Sequence, residues 1–241
     1  MEKTNNKNLY ALIFRIFGLL TGITAITLQI IVNQLNTDGF MINHVFAYFT
    51  VQTNIFSTLV FLALIIKTII DSTKAKTLVK ANINPSLHLA CTYYITITMV
   101  VYWLILTPMT GFAIRPIVVA NTLFLHLFTP LLAIFDSFLF SNHGKVKNID
   151  SIKWLTYPII YLVSVVIIAQ VITEPYYTIK LNGKAIGLMY PYPFLDPQIV
   201  TVGGMIGVII LLAIVFVLFG LLYIKIDNLI AKKLSNKNQN I

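Results

Sequence analysis

The sequence predicts an all-α, polytopic membrane protein, with residues 1–241 forming a single domain, a bundle of six transmembrane helices. Hydrophobic residues make up 58% of the chain and charged residues only 10%, with a mean hydropathy of +0.85. Soluble domains carry about a quarter charged residues. The apolar residues also form six segments, each long enough to cross about 30 Å of hydrocarbon. The predicted spans are 9–32, 45–70, 87–106, 117–140, 154–173 and 200–226.

The positions of the basic residues predict how the bundle is oriented. Of the 17 lysine and arginine residues, 14 lie at the termini, in the loops after spans two and four, or at the span ends beside them. The opposite loops hold only Arg115, Lys180 and Lys184. Because basic loops stay in the cytoplasm, both termini are predicted to be cytoplasmic. The net charge of +9 is therefore assigned to membrane topology, and nucleic acid is not a predicted partner.

Spans one and three contain residues whose structural roles can be predicted. Span one is too long for the apolar core of a cleavable signal peptide and lacks a cleavage site, so it is predicted to remain as a helix. Its Gly18 and Gly22 have the spacing that lets membrane helices pack closely. Span three carries the single cysteine, Cys91, which is predicted to be a packing residue.

Spans four to six are apolar, and a long connection separates the last two. Pro130 and Pro158 remove backbone donors in spans four and five, which otherwise read as largely continuous. The connection 174–199 places Asn182-Gly183 between semi-alternating apolar residues, the strongest short-range hairpin signal. We therefore expect a small β-hairpin over the bundle mouth, followed by an extended YPYPFLD segment whose prolines forbid a regular helix.

Span two begins with an unusual density of polar residues for an otherwise apolar helix. Thr50, Thr53 or Asn54, and Ser57 recur at helical spacing and share one face. Periodicity alone allows a hydrogen-bonded contact between helices or part of a functional site. An isolated histidine in span four, His126, favours a site, since ionisable residues inside a membrane tend to face a bundle interior or a wet cavity.

Thr50 and His126 are predicted to lie at similar depths. Counted from the outer ends of their spans at 1.5 Å per residue, Thr50 lies roughly 7 Å and His126 roughly 13 Å below the boundary. A threonine hydroxyl is a weak nucleophile without an adjacent base, and an imidazole can take its proton. Burial disfavours the imidazolium, so the ring stays neutral, as a base must be. The pair supplies the minimum parts for nucleophilic catalysis.

Three short motifs carry a resemblance to a known family. Thr50 in YFTVQTN, His126 in LHLFTPLLAIFD and the late YPYPFLD segment resemble the landmarks, in order, of the androgen-induced, FAR-17a-like multi-pass membrane hydrolases. That family includes the androgen-dependent TFPI-regulating protein and bacterial relatives. The resemblance covers most of the chain and implies a threonine nucleophile at Thr50 with a histidine at His126. Characterised animal members hydrolyse fatty acid esters of hydroxy fatty acids; the QTN segment and the doubled YPYP depart from their pattern and leave the substrate open.

Arg15 and Asp136 are charged residues within spans one and four. Asp136 follows His126 by ten residues, a rotation of about 1,000°, which is about 80° short of three turns, so the two side chains point in different directions. Arg15 is predicted at a depth comparable to that of Asp136. We expect a structural ion pair, the usual way in which such charges are tolerated; the alternative is a proton relay in a transporter.

The leading functional prediction is an integral-membrane threonine hydrolase that acts on a lipid ester, a fatty acyl ester, in the outer half of the bilayer. Thr50 is the nucleophile and His126 the general base. Donors to the oxyanion are expected among Gln52, Thr53, Asn54, Tyr190 and Tyr192. The alternative is a non-enzymatic multi-pass membrane protein, either a small transporter or an accessory or scaffold component. A transporter would show inverted repeats or broken helices at mid-membrane.

Composition and motifs bear on cofactors and location as well. The histidines are scattered over both sides of the membrane without ligand spacing, so no metal is predicted. Glycine-rich phosphate loops and the HExxH and GxSxG motifs are absent, and no cofactor is predicted. The lysine- and asparagine-rich, arginine-poor composition suits a low-GC bacterium and hence a plasma membrane.

Overall fold

The computed structural model describes residues 2–36, 45–112, 114–181 and 184–239, and six long helices account for most of these residues. They are α1 Glu2–Asn36, α2 Phe49–Ala75, α3 Pro85–Met109, α4 Pro116–Phe140, α5 Asp150–Val171 and α6 Pro197–Gln239. Each contains a stretch that is long and apolar enough to cross a membrane. The prediction of an all-α fold with six helices long and apolar enough to span a membrane is confirmed.

Some helix bounds differ from the predicted spans because capping contacts, rather than hydropathy, determine where the helix begins or ends. α2 continues past residue 70 and ends where Lys76 adopts the left-handed conformation, with φ 51°, and its N–H bonds back to the last turn. α3 begins at Pro85, because the Asn84 side chain accepts a hydrogen bond from the third residue of the helix. In α6, Thr201 is non-helical (φ 63°, ψ 165°) and its hydroxyl accepts from the Gly204 N–H. The uninterrupted part of α6 therefore starts close to the predicted residue 200.

The predicted hairpin strands are present between α5 and α6. β1 Tyr177–Leu181 pairs antiparallel with β2 Lys184–Leu188, and Tyr177 lies opposite Leu188. This register leaves two residues for the loop, as a tight hairpin requires; the Asn182-Gly183 turn itself lies outside the described residues.

The segment after the hairpin is extended at Tyr192 but also contains a short 3₁₀ turn, Pro193–Leu195. The Asp196 carboxylate accepts hydrogen bonds from the N–H groups of Met189 and Gln198. One side chain thus joins the end of the hairpin to the start of α6.

Helices α1 and α2 pack closely against each other at Gly18 and Gly22 of α1. A Cβ atom at Gly18 would lie 2.6 Å from the Phe61 ring, and one at Gly22 would clash with Thr58. Only glycine permits this approach, as small residues do at membrane helix interfaces. By contrast, a Cβ at Gly207 in α6 would meet no atom within 4 Å in the described part of the chain.

Candidate active site

Thr50 and His126 line the same cavity. We call it the polar cavity because seven of its eleven described lining residues carry a hydrogen-bonding side chain. It has a volume of about 280 Å³ and lies between α1, the start of α2, α3 and α4, beneath the first strand and the segment after the hairpin. Both side chains are 8% exposed. Within the described part of the chain, no hydrogen bond joins them directly. The cavity volume is large enough for a small substrate group or water molecules beside these two residues.

The hydroxyl of Thr50 sits at the positive end of a helix. Thr50 is the second residue of α2, where backbone N–H groups have no partner within the helix. Its N–H donates to the Tyr192 hydroxyl at 3.3 Å, and its Oγ1 lies 3.4 Å from the same oxygen. The preceding N–H, of Phe49, donates to the Tyr161 hydroxyl at 3.2 Å. Two phenols thus cap the helix, whose dipole favours negative charge at this end.

The Tyr192 phenol remains protonated beside Thr50. Burial raises the pKa of Tyr192, and the hydrogen bonds with Thr50 oppose this shift only in part. Because its oxygen already accepts from the Thr50 N–H, the phenol keeps its own proton for donation. Tyr192 can therefore donate a hydrogen bond to an oxygen that develops charge next to Thr50.

A backbone carbonyl orients the imidazole of His126. Nδ1 lies 3.2 Å from the Thr122 carbonyl oxygen, which can only accept, so Nδ1 carries the proton. Nε2 is then unprotonated and able to accept, as a general base requires. No residue was predicted from the sequence to orient His126, and in the structure a main-chain carbonyl has this role.

Two aromatic residues of α3 also position His126, one by stacking on its ring and the other by a hydrogen bond to its backbone carbonyl. The Tyr102 ring stacks on it with a centroid separation of 3.5 Å and an angle of 16°. Trp103 Nε1 donates to the His126 carbonyl oxygen at 2.9 Å. That carbonyl lies four residues before Pro130, which has no N–H to offer it. Tyr102 and Trp103 on α3 thus fix the histidine on α4.

Two π-turns bring these residues together. They cover Tyr102–Leu106 in α3 and Phe124–Phe128 in α4, and each is followed by a Thr-Pro pair. In each case the threonine hydroxyl donates to the carbonyl five residues earlier, at 3.0 Å from Thr107 and 2.9 Å from Thr129. Single π-turns are rare and occur often at functional sites. These π-turns were not predicted from the sequence, although each is followed by the same Thr-Pro pair.

A second cavity meets the first at Thr50. This apolar cavity, of about 130 Å³, lies between α2, α3, α5 and α6 and is lined almost entirely by hydrocarbon side chains. Ile159 on its wall is 55% exposed, so the cavity reaches the outer surface of the bundle. Thr50, Leu106 and Tyr192 line both cavities. A molecule with a polar and an apolar arm could therefore place its junction at the Thr50 hydroxyl.

Most of the predicted oxyanion donors are occupied elsewhere. Gln52 donates to the Phe46 carbonyl and accepts from the Tyr157 hydroxyl. Thr53 is bonded to the Thr50 carbonyl and the Thr98 hydroxyl.

Asn54 and Tyr190 also lie away from the polar cavity. The Asn54 amide donates to the carbonyls of Thr50 and Leu125. Tyr190 is buried in the aromatic core, outside both cavities. The expectation that Gln52, Thr53, Asn54 or Tyr190 faces the ester is therefore corrected, because neighbouring parts of the chain already bind or cover these side chains. Of the five predicted donors, only Tyr192 lines the polar cavity.

The two buried charges lie together, away from the polar cavity. Arg15 Nε is 2.9 Å from Asp136 Oδ1, and a second guanidinium nitrogen donates to the Ala81 carbonyl at 2.9 Å. His88 was not among the predicted site residues; its Nε2 lies 3.2 Å from Asp136 Oδ2 but outside hydrogen-bond alignment. All three side chains are buried. The arrangement is that of a structural ion pair with a histidine beside it.

The comparisons with protein-family models, curated proteins and solved structures found no match. The resemblance to the androgen-induced family therefore stays a prediction from the three motifs. Among the described residues, no group of three or more His, Cys, Asp or Glu side chains has the arrangement of a metal site.

Proposed function

We propose that the chain is an integral-membrane threonine hydrolase that cleaves a fatty acyl ester, with Thr50 as nucleophile and His126 as general base. The observation that carries the proposal is the position of Thr50 at the meeting point of a polar and an apolar cavity, with His126 on the polar wall. An ester has this two-sided character, and its acyl chain fits the hydrocarbon wall.

The residues account for each proton in the reaction. His126 Nε2 takes the proton of the Thr50 hydroxyl as its oxygen bonds to the ester carbonyl carbon. The imidazolium then gives this proton to the departing alcohol oxygen as the carbon–oxygen bond breaks, which leaves an acyl-Thr50 ester. Water attacks that ester while His126 takes its proton, and the proton returns to Thr50 as the fatty acid leaves.

Tyr192 supplies the hydrogen bond to the oxyanion in this mechanism. Its phenol is protonated, touches Thr50 and lines both cavities. The start of α2 adds the positive end of a helix dipole at the same place. Donors that are fixed before the reaction stabilise the developing charge without reorganisation.

The proposal includes an orientation: both termini are cytoplasmic, and the hairpin and the Thr50 site belong to the outer half of a plasma membrane. The distribution of basic residues supports it. In a Cys91→Ser background, Asn182→Cys should react with an impermeant maleimide on intact cells and Lys76→Cys should not. The reverse labelling would overturn the orientation.

Ester turnover by purified protein in lipid nanodiscs tests the catalytic pair. Thr50→Ala and His126→Ala should each lower kcat about 100-fold or more, and the double variant should be little worse than either, because residues that act as a unit are not additive. Thr53→Ala is the matched control, since Thr53 is a buried hydroxyl on the same helix that faces neither cavity. Normal turnover after Thr50→Ala, or no turnover by the parent protein, would reject the proposal; the latter would favour the non-enzymatic class.

A further inference from the structure

The wall of the polar cavity carries uncharged hydrogen-bonding groups. Apart from His126, its polar side chains are the amide of Gln29 and the hydroxyls of threonine and tyrosine, and none of the described residues that line it is a lysine, arginine, aspartate or glutamate. Burial raises the pKa of the Tyr177 phenol, so it stays neutral. Among the described residues, a ligand in this cavity therefore meets donors and acceptors but no counter-charge.

The side-chain amide of Gln29 on α1 is bonded at one end, within the described part of the chain, and its other end is available to a ligand. Asn121 Nδ2 donates to Gln29 Oε1 at 2.7 Å, and Gln29 has no other hydrogen bond within the described part of the chain. The Asn121 Oδ1 atom is buried and also without a partner there. If both amides are turned end for end, the free Gln29 group changes from donor to acceptor. A hydroxyl, which can donate and accept, suits either arrangement.

An anionic group would be a poor fit for the same cavity. A carboxylate or phosphate that leaves water needs a paired charge, because an unpaired buried charge is far more costly than a hydrogen-bonded neutral group. The described residues of the wall offer no cation for that purpose. Hydroxyl groups, by contrast, can bond to the Gln29 amide and the tyrosine hydroxyls without a charge.

We infer that the alcohol part of the substrate is small, uncharged and hydroxylated, as in a monoacylglycerol, and that Gln29 recognises it. This inference rests on the proposed function. The acyl chain occupies the apolar cavity, the glycerol part occupies the polar cavity, and the ester between them lies at Thr50. The reaction consumes one water and breaks the bond between the acyl carbon and the glycerol oxygen, which gives a fatty acid and glycerol. This substrate differs from the carboxylate-bearing esters that the family resemblance implies.

Turnover of three oleoyl esters tests this substrate class. They are 1-oleoylglycerol, methyl oleate, which lacks hydroxyls, and the oleoyl ester of 12-hydroxystearic acid, which carries a free carboxylate. We expect kcat/KM for oleoylglycerol to exceed the other two about tenfold or more. Gln29→Met should lower kcat/KM for oleoylglycerol, through KM, about tenfold more than for methyl oleate. Gln34→Met, an exposed position on the same helix, is the matched control and should keep the preference.

A second variant guards against a folding defect at Gln29. Gln29→Lys supplies the missing cation and should raise turnover of the carboxylate ester above that of the parent protein, a gain that misfolding cannot produce. A preference of the parent protein for the carboxylate ester, or an equal loss on all three esters in Gln29→Met, would overturn the inference.

Binding of the uncleavable ether 1-O-hexadecylglycerol separates the inference from the proposed function. If no ester is turned over but the ether raises the Tm of the parent protein more than that of Gln29→Met, the hydrolase proposal fails and the glycerol site stands. If turnover and this difference in Tm are both absent, the inference fails as well.

Discussion

Removal of Asp136 alone should destabilise the bundle more than removal of Asp136 and Arg15 together. Both side chains are fully buried and their charged atoms are 2.9 Å apart. Asp136→Asn keeps the volume and leaves the guanidinium without a counter-charge. Loss of one partner of a buried ion pair typically costs about 3–5 kcal/mol, whereas neutral replacement of both is often tolerated.

The contacts around Arg15 and Asp136 make the expected loss of stability different for each variant. In Arg15→Met, Asp136 retains the His88 ring at 3.2 Å, so the carboxylate keeps one polar neighbour. In the double variant Arg15→Met, Asp136→Asn, the Ala81 carbonyl loses its guanidinium donor, which costs about 1–3 kcal/mol. We therefore expect Asp136→Asn to be the least stable of the three.

Reversible unfolding in mixed micelles with increasing SDS measures these differences. The four proteins form a double-mutant cycle, whose coupling term isolates the pair. The double variant should recover at least about 1 kcal/mol relative to Asp136→Asn. Losses that simply add, or a double variant less stable than Asp136→Asn, would refute the conclusion that the two charges depend on each other.

Two further predictions concern the site and the packing of α1 against α2. Tyr192→Phe should lower kcat about 100-fold or more with little change in KM, because it removes the proposed donor to the oxyanion beside Thr50; full activity measured under saturating ester would show that the donor is another group. Gly22→Leu should lower the Tm measured by thermal unfolding, at a cost of about 1–3 kcal/mol, because its side chain would enter the space that Thr58 fills. Gly207→Leu, where an added Cβ would meet no described atom within 4 Å, should leave the Tm close to that of the parent protein, and equal losses in both would show that helix propensity rather than packing decides.

Hydropathy predicted the six helices because burial in lipid depends mainly on average composition over about twenty residues. The hairpin strands followed from the Asn182-Gly183 signal, since a two-residue loop fixes the register of its strands. The contact between Arg15 and Asp136 was also predictable, because two buried charges at one depth need each other. His88 was not, because nothing in the spacing of span three indicates which residue it faces.

The direction of each polar side chain at the site depended on contacts between helices. Thr53 and Asn54 share the face of Thr50, yet they bond to neighbouring side chains and carbonyls instead of the cavity. Thr50 differs because it lies in the first turn of α2, where its N–H donates to the phenol of Tyr192 from a distant part of the chain. Helical periodicity places residues on a face but does not show what covers that face.

The π-turns also change the direction of the side chains that follow them, which helical periodicity could not show. Each π-turn inserts one residue into a helix and changes the rotation of everything after it, so a count at 100° per residue fails across Phe124–Phe128. The orientation of His126 toward the polar cavity depends on this turn and on the stacked Tyr102 ring. A Thr-Pro pair within an apolar span is the feature to look for in similar sequences.

Mass spectrometry of the protein after reaction with a fluorophosphonate probe tests the central claim most directly. The probe forms a covalent bond with an activated hydroxyl, and its mass on a peptide fragment identifies the residue. We predict that the adduct maps to Thr50 and is lost in His126→Ala, because the hydroxyl depends on that base. An adduct on Thr53 or another residue, or no adduct on the folded parent protein, would contradict the assignment of Thr50 as the nucleophile.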